Sequence, residues 1–244
     1  MIFGRPHRHF RRTDSTNERA KELAGAGAPG GLVVTAAEQT AGRGRRGHAW
    51  FAQPGGCLLY SALLRPHAPD RSPLLPLAVP LAVCEAAEAV APVRCQVKWP
   101  NDVWIEERKV AGVLVEARSD EGWAVIGVGL NVAIPHQDFP AELRETATSL
   151  LPTEAKNARR PGSAPSLPLA LTALNEALGR WTDADAEEVL DAYRARDALC
   201  GRRISWEGGS GTAQEIDDRG HLVVDAGGER IALGAGEVHL AIED

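Results

Sequence analysis

Residues 96–132 read QVKWPNDVWIEERKVAGVLVEARSDEGWAVIGVGLNV, and this stretch decides the fold class. Runs rich in β-branched and aromatic residues predict strands at 96–99, 103–105, 110–117 and 123–128. Tight turns rich in Pro, Asn, Asp and Gly join these strands. Because consecutive strands joined by tight turns pair antiparallel, the stretch favours an antiparallel sheet over a βαβ series.

Helices and further strands flank this stretch. Ser15 and Glu18 match a capping box ahead of an alanine-rich run, which predicts a helix as far as Ala26. Further strands are predicted at 32–35 and 58–64, and helices at 77–91, 169–181 and 186–199. Pro80 fits the helix at 77–91 only in the first turn or at a kink.

Two segments are expected to lack regular structure. Residues 5–12 contain four arginines and two histidines, and we interpret them as a solvated N-terminal tail. Residues 152–168 are rich in Pro, Ser, Ala and Gly without periodicity, which indicates a surface loop.

A small all-β unit is predicted at the C-terminus. Short strands at 203–206, 212–216, 221–224 and 230–233 are separated by Gly and Asp turns. A β unit of this size is marginal alone, so we expect it to pack on the rest of the chain. The predicted division is a larger domain at residues 1–198 and a small β domain at residues 199–244.

Composition excludes several classes of protein. The chain of 244 residues has a net charge of −6, whereas nucleic-acid-binding proteins usually carry a basic excess, so we expect no nucleic-acid partner. The cysteines at 57, 84, 95 and 200 are too widely spaced for a zinc site or a disulfide framework. The longest apolar run, residues 74–83, is interrupted by prolines and too short to span a bilayer. We therefore expect a cytoplasmic protein with reduced cysteines and no membrane contact.

Gly42-Arg43-Gly44-Arg45-Arg46-Gly47, here called the arginine loop, carries the clearest functional signal. Glycines let the backbone turn and expose its N–H groups, and clustered guanidiniums favour an anion between them. The loop also matches the dinucleotide fingerprint G-x-G-x-x-G, but that motif must open a helix, and Pro54-Gly55-Gly56 prevents one. We interpret the arginine loop as an anion-binding loop, with a solvated arginine-rich turn as the alternative.

Other segments also place polar groups where a ligand could use them. They are Asp14-Ser15-Thr16-Asn17 at a helix start, Gln39 before the arginine loop, Lys98-Trp99-Pro100-Asn101-Asp102 at a turn, Lys109 with Gly112 in a strand, and Asn131 after a Gly-x-Gly strand end. Each has an ordinary explanation as a cap, turn or bulge, so no single segment decides the function.

In combination and order, these segments resemble the biotin protein ligases. The resemblance is carried by Asp14-Ser15-Thr16-Asn17, Glu38 to Gly47, Lys98 to Asp102, Arg108 to Glu116 and Gly129-Leu130-Asn131. It implies an α+β fold with a mixed or antiparallel sheet and flanking helices, similar to class II synthetases, plus a small C-terminal SH3-like β-barrel. It also implies that biotin and ATP, accompanied by Mg²⁺, give biotinyl-5′-AMP and pyrophosphate. Biotin would then pass to a specific lysine of a biotin carboxyl carrier domain.

The resemblance also implies roles for individual residues. Biotin would contact Ser15, Thr16, Asn17, Gln39, Arg43, Gly44, Arg45, Lys109 and Gly112. ATP would contact Arg43, Arg45, Arg46, Trp50, Asn101, Lys109 and Asn131. The catalytic group would be Lys109, Arg45, Lys98 and Asp102, with Asp102 as a possible ligand of Mg²⁺.

Besides Pro80, which lies where a helix is expected, two features depart from the family pattern. His48 stands where many bacterial relatives have arginine, which predicts a less cationic site. Residues 1–13 leave no room for the helix-turn-helix domain of regulatory relatives, so we expect a monofunctional ligase that binds no operator.

Other functions remain open at this point. A lipoate- or octanoate-protein ligase would share the fold, and a non-catalytic biotin sensor would share the biotin site. An RNA-binding module could use the arginine loop and scattered tryptophans, although the net acidity counts against it. The sequence does not decide between a monomer and a homodimer.

Overall fold

The computed structural model describes residues 1–65, 74–151, 165–234 and 236–241. The chain order is β1 (His7–Phe10), α1 (Thr16–Gly25), β2 (Val33–Ala36), β3 (Cys57–Leu64), α2 (Leu75–Val90), β4 (Gln96–Lys98), β5 (Asp102–Ile105), β6 (Arg108–Arg118), β7 (Trp123–Asn131), α3 (Leu167–Asp183), α4 (Ala186–Arg194), β8 (Arg203–Trp206), β9 (Gly209–Ile216), β10 (Leu222–Ala226), β11 (Glu229–Leu233) and β12 (Val238–Leu240). Short 3₁₀ turns lie at Arg45–Gly47, His136–Asp138 and Ala141–Leu143. None of the helices in these ranges is both long and apolar enough to cross a membrane.

The larger sheet has seven strands in the order β1-β2-β3-β7-β6-β5-β4. Neighbouring strands are antiparallel except β1 and β2, which are parallel. The strands predicted within residues 96–132 are β4 to β7, and they form one antiparallel side of the sheet. The predicted fold class, a mixed sheet with flanking helices, is therefore confirmed.

The two faces of the larger sheet are covered differently. On one face, α2 and α3 pack against a continuous apolar core that includes Tyr60, Val113 and Val128. On the other face, α1 covers only part of the sheet, with Ala20 and Ala24 in a smaller apolar cluster. Since side chains alternate along a strand, residues 59 and 61, 112 and 114, and 127 and 129 share this second face.

The C-terminal strands form a second, antiparallel sheet in the order β11-β10-β9-β8-β12. This sheet is consistent with the expected small SH3-like unit. It contacts the larger sheet through Trp99, whose Nε1 donates to the Gly220 carbonyl at 3.0 Å. Ile204 belongs to the same apolar core as α2. The division of the chain into domains at residues 198 and 199 stays a prediction.

The N-terminal segment differs from the expected solvated tail. His7–Phe10 forms β1 and pairs with β2. The rings of His7 and His9 lie 2.8 and 2.9 Å from Thr35 Oγ1. The prediction was wrong because β2 would otherwise be an edge strand, whose free backbone groups pair with any nearby extended segment.

Of the two expected positions of Pro80, the first turn is wrong, because Pro80 lies in the second turn of α2; a kink there stays a prediction. Its missing N–H leaves the Pro76 carbonyl without the usual intrahelical donor. The helix nevertheless extends from Leu75 to Val90, because most of its side chains are buried in the apolar core. Residues 152–164 of the predicted surface loop lie outside the described residues.

We predict that Trp99→Phe lowers the free energy of unfolding by about 1–3 kcal/mol, because the Gly220 carbonyl would be left without its donor. Urea unfolding followed by circular dichroism measures this change. Trp206→Phe, at a half-buried tryptophan of β8, is the matched control. A loss for Trp99→Phe no larger than that of the control would show that this contact does not stabilise the junction between the sheets.

Candidate active site

A cavity opens on the part of the second sheet face that α1 leaves uncovered. Glycines at 112, 127 and 129 line it, with Gly112 opposite Gly129 in the β6–β7 pair. The start of α1 and the arginine loop complete its walls. The residues predicted to contact biotin all line this first cavity: Ser15, Thr16, Asn17, Gln39, Arg43, Gly44, Arg45, Lys109 and Gly112.

The start of α1 forms a polar wall of the first cavity. Gln39 Oε1 accepts a hydrogen bond from the Thr16 backbone N–H at 2.7 Å. Asp14 Oδ1 accepts from the Ser15 N–H at 2.7 Å. The predicted capping box was wrong, because Ser15 makes no side-chain capping bond within the described chain and Glu18 pairs with Lys21 instead. Gln39 therefore fixes the helix start to the segment before the arginine loop.

Backbone hydrogen bonds fold the arginine loop back on itself. The Gly44 N–H donates to the His48 carbonyl at 2.7 Å, and the Trp50 N–H donates to the Gly42 carbonyl at 3.1 Å. Arg46 has a φ of 52°, in the left-handed region that residues with a Cβ rarely adopt. This tight backbone directs successive arginine side chains to different parts of the protein.

Each guanidinium of the loop has a separate partner: Arg43 donates to Glu18 at 2.8 Å, Arg45 to Asn101 at 3.0 Å and Arg46 to Glu207 at 2.7 Å. The Arg45 partner is a neutral amide, so that contact leaves the Arg45 charge uncompensated. Arg46 contacts the second sheet instead, as does His48, whose Nε2 lies 3.5 Å from Glu237 Oε2.

The Trp50 ring lies across Gly112 and Gly129 of the sheet. A Cβ at Gly129 would stand 2.4 Å from this ring, which is too close for any side chain. The buried Trp50 Nε1 makes no hydrogen bond within the described chain. Lys109 Nζ lies 5.7 Å from the ring centroid, within range of a cation–π interaction. Trp50 therefore contacts both Lys109 and the sheet glycines, which form the floor of the first cavity and are here called the glycine floor.

Lys109 and Asp102 form an ion pair at this centre, with 2.7 Å between Nζ and Oδ1. Burial lowers the pKa of the nearby Lys98; the Asp102 charge opposes this shift and the Lys109 charge adds to it. Lys98 Nζ also lies 5.4 Å from the centroid of the Trp104 ring. The site thus combines one paired lysine with a second lysine that loses its proton more easily than usual.

Two further cavities continue from the first, and Trp50 and Lys109 line all three. The second is lined by the predicted residues Arg45, Arg46, Lys98, Asn101 and Asp102. The third is lined by Lys98, Asp102, Asn131 and the apolar Phe139 and Leu143. Together they form one cleft that every predicted site residue borders, although the individual roles stay predictions.

Asn131 is one of the buried predicted residues, as are Ser15, Thr16 and Asn17. Its side chain is buried, with Nδ2 donating to the Thr148 carbonyl at 2.9 Å. The Cys57 thiol donates to the amide oxygen at 3.5 Å. Both ends of the amide are thus engaged by the protein, which gives Asn131 a packing role at the border of the third cavity. Its contact with a nucleotide stays a prediction.

The sequence prediction missed Ser61, Glu116 and Glu237. Ser61 is fully buried in β3, and a lone serine in an otherwise apolar strand was the available signal. Glu116 ends one of the quoted motifs, yet no role was assigned to it. Glu237 precedes β12, which was not predicted, and it lines the second and third cavities.

The described residues contain no group of three or more His, Cys, Asp or Glu side chains that could hold a metal ion alone. A Mg²⁺ ion that accompanies a nucleotide needs only one or two carboxylates beside the phosphates. Asp102 lines the second and third cavities and fits that requirement.

Comparison with known proteins identifies the relatives of the chain. The bifunctional ligase/repressor BirA of Bacillus spizizenii is 40% identical over 152 residues, which cover 61% of this chain and 47% of that protein. The chain thus spans about half the length of this relative. The biotin--[acetyl-CoA-carboxylase] ligase of Mycobacterium tuberculosis is 37% identical over 93% of this chain and 85% of that protein.

A solved structure and a family model agree with these relatives. Biotin protein ligase from Aquifex aeolicus, in complex with biotin and ATP, superposes with a TM-score of 0.79 and 26% identity, covering 96% of this chain and 99% of that chain. Residues 9–132 match the model of the biotin/lipoate A/B protein ligase family. These residues contain the arginine loop and the three sheet glycines, and the chain therefore belongs to the biotin/lipoate A/B protein ligase family.

Proposed function

We propose that this chain is an ATP-dependent biotin protein ligase. The observation that carries the proposal is the continuous cleft in which Lys109 and Arg45 stand where the glycine-lined cavity meets the second cavity. Relatives support it, since one is named a biotin--[acetyl-CoA-carboxylase] ligase and a similar structure contains biotin and ATP. The ring of biotin occupies the first cavity, and ATP occupies the second and third.

The first step joins two anions. A carboxylate oxygen of biotin attacks the α-phosphorus of ATP, a P–O bond forms, and the bond to pyrophosphate breaks. Lys109 and Arg45 counter the negative charge of both reactants and of the transition state. Because the partner of Arg45 among the described residues is the neutral Asn101, Arg45 can turn to an anion without separating an ion pair there. Mg²⁺ held by the phosphates and Asp102 would supply further positive charge.

The second step transfers biotin to a partner protein. The neutral amine of a lysine on a biotin carboxyl carrier domain attacks the acyl carbon of biotinyl-5′-AMP. A C–N bond forms, the C–O bond to the phosphate breaks, AMP leaves, and the nitrogen gives up a proton. Asp102 orients the incoming amine, and Lys98, whose pKa is lowered by burial, lies beside it. The free thiols of the chain support the expected cytoplasmic setting.

Biotin-dependent exchange of pyrophosphate into ATP tests this function directly, and the nearest alternative is activation of lipoate. We expect exchange with biotin and at most a trace with lipoate. We also expect a carrier domain to gain the mass of one biotinyl group when biotin, ATP and Mg²⁺ are present. Exchange with lipoate but not with biotin would assign the chain to the lipoate branch of the family. Biotin binding without exchange would favour a sensor.

Lys109→Ala should reduce biotin-dependent exchange by at least about 100-fold, because the charge at the reacting centre is lost. Arg108→Ala is the matched control, since Arg108 precedes Lys109 in β6 and pairs with Glu106 at 3.6 Å outside the cleft. Thermal unfolding of both variants checks that the fold survives. Exchange that is equally fast in Lys109→Ala and wild type would remove Lys109 from the catalytic group.

The arginine loop should also act as a gate that closes over biotinyl-5′-AMP and excludes water. We expect trypsin to cut after Arg43, Arg45 or Arg46 in the free protein and to spare these bonds when biotin and ATP are bound. Cleavage after the exposed Arg118, at the end of β6, provides a ligand-independent reference. Equal rates of trypsin cleavage in the arginine loop with and without biotin and ATP would argue against a gate.

A further inference from the structure

A chain of hydrogen bonds connects the polar wall of the first cavity to a charged pair behind it. Lys21 Nζ donates to Glu116 Oε1 at 2.9 Å, and Asn17 Nδ2 donates to Glu116 Oε2 at 2.8 Å. The Ser61 hydroxyl lies 2.5 Å from Asn17 Oδ1. Neither Lys21 nor Glu116 lines the cavity, yet both are linked to its wall through Asn17.

The chain continues along the wall to Gln39. Thr16 Oγ1 lies 2.8 Å from Ser61 Oγ and 3.0 Å from Gln39 Oε1. The Thr16 backbone N–H, which can only donate, points at the same Gln39 oxygen from 2.7 Å. The Gln39 amide is therefore fixed with its oxygen toward Thr16.

Glu116 fixes the other end of the chain. An ionised carboxylate only accepts, as does the Leu114 carbonyl 3.5 Å from Asn17 Nδ2, so Asn17 turns its NH₂ group toward both and its oxygen to Ser61; the Glu116 contact, at 2.8 Å, is the shorter. Burial alone would raise the pKa of Glu116, but the hydrogen bonds from Asn17 and Lys21 hold it below the ordinary value. The carboxylate is thus ionised at neutral pH, and Lys21 compensates its charge.

In this orientation, the wall of the first cavity has fewer protons than oxygen–oxygen contacts. There are three oxygen–oxygen contacts, from Asn17 to Ser61, from Ser61 to Thr16 and from Thr16 to Gln39. Only the two hydroxyl groups carry a proton into these contacts. One contact therefore has no hydrogen, and the wall has more acceptors than donors. A ligand that brings N–H groups relieves this imbalance.

We propose that Glu116, held by Lys21, is a positioning residue that makes the wall rich in acceptors and so selects a ligand with paired N–H donors. The inference rests on the proposed function, in which the cyclic urea of biotin supplies two N–H groups. The dithiolane ring of lipoate carries no N–H group. The same orientation of Asn17 thus favours biotin over lipoate.

Gly127 keeps the Asn17 amide in this position. A Cβ at Gly127 would stand 2.3 Å from Asn17 Oδ1 and 2.8 Å from Nδ2, so only glycine leaves room for the amide against β7. Gly127 lies opposite Ser61 in the β3–β7 pair, which brings the hydroxyl to the same point. The register of β3 with β7 and the charge of Glu116 therefore both position the Asn17 amide.

Calorimetric titration of the full chain with biotin, and with a derivative methylated on a ureido nitrogen, tests the inference. Glu116→Gln lets residue 116 donate as well as accept, so that only the longer contact with the Leu114 carbonyl opposes reversal of the Asn17 amide among the described residues. We expect biotin affinity to fall about tenfold, and the preference for biotin over the methylated derivative to shrink. Glu229→Gln, at an exposed carboxylate in β11, is the matched control and should change neither quantity.

The outcomes separate this inference from the proposed function. If wild type binds biotin but Glu116→Gln keeps both the affinity and the preference, the role of Glu116 is overturned and the proposed function stands. If wild type does not bind biotin, both are overturned. Should Glu116→Gln fail to fold, Lys21→Met replaces it and should weaken biotin binding, whereas Lys21→Arg should restore it. Wild-type affinity in Lys21→Met would overturn the inference.

Discussion

The site depends on three glycines, at residues 112, 127 and 129, on one face of the larger sheet. Because these residues have no Cβ, the Trp50 ring and the Asn17 amide can approach the backbone of the strands closely. On the opposite face, α2 and α3 bury the same strands in the main apolar core. The glycines thus open a cavity without weakening the strands that form it, because packing on the far side holds the sheet. A rigid floor of this kind is what a preorganised site requires.

The cations of the cleft differ in how they are held, and the differences suit two negatively charged reactants. Lys109 is paired with a carboxylate, Arg45 with a neutral amide, and Arg43 with a carboxylate of α1. Moving Arg45 to a phosphate therefore costs less than moving either of the others, since its contact in the described part of the chain is not an ion pair. The lowered pKa of Lys98 adds an amine that carries its proton less tightly. The turn at 98–102 and the arginine loop thus bring together cations that have different partners.

Much of the architecture could be predicted from local patterns, whereas long-range pairing could not. Strands β4 to β7 follow from β-branched runs joined by tight turns, and motif order identified the residues that border the cleft. The parallel pairing of β1 with β2 depends on an edge left open elsewhere in the fold, so the basic composition of residues 5–12 was misleading. Likewise, the enclosure of Asn131 and the link from Glu116 to Asn17 depend on contacts across the sheet, which sequence spacing does not reveal. The bond from the Thr16 N–H at the start of α1 to Gln39, in place of a cap from Ser15, also joins segments that are distant in sequence.

The contacts of Arg46 with Glu207 and of His48 with Glu237 have a consequence for biosynthesis. Arg46 and His48 are translated well before the carboxylates that they contact, since Glu207 lies 161 residues after Arg46. A nascent chain can therefore form the strands that carry Gly112, Gly127 and Gly129, and α2 behind them, before Glu207 and Glu237 are available to Arg46 and His48. The glycine-lined sheet face can therefore form before the arginine loop has all of its contacts. The cleft is complete only when the second sheet, which places Glu237 in the lining of the second cavity, has folded.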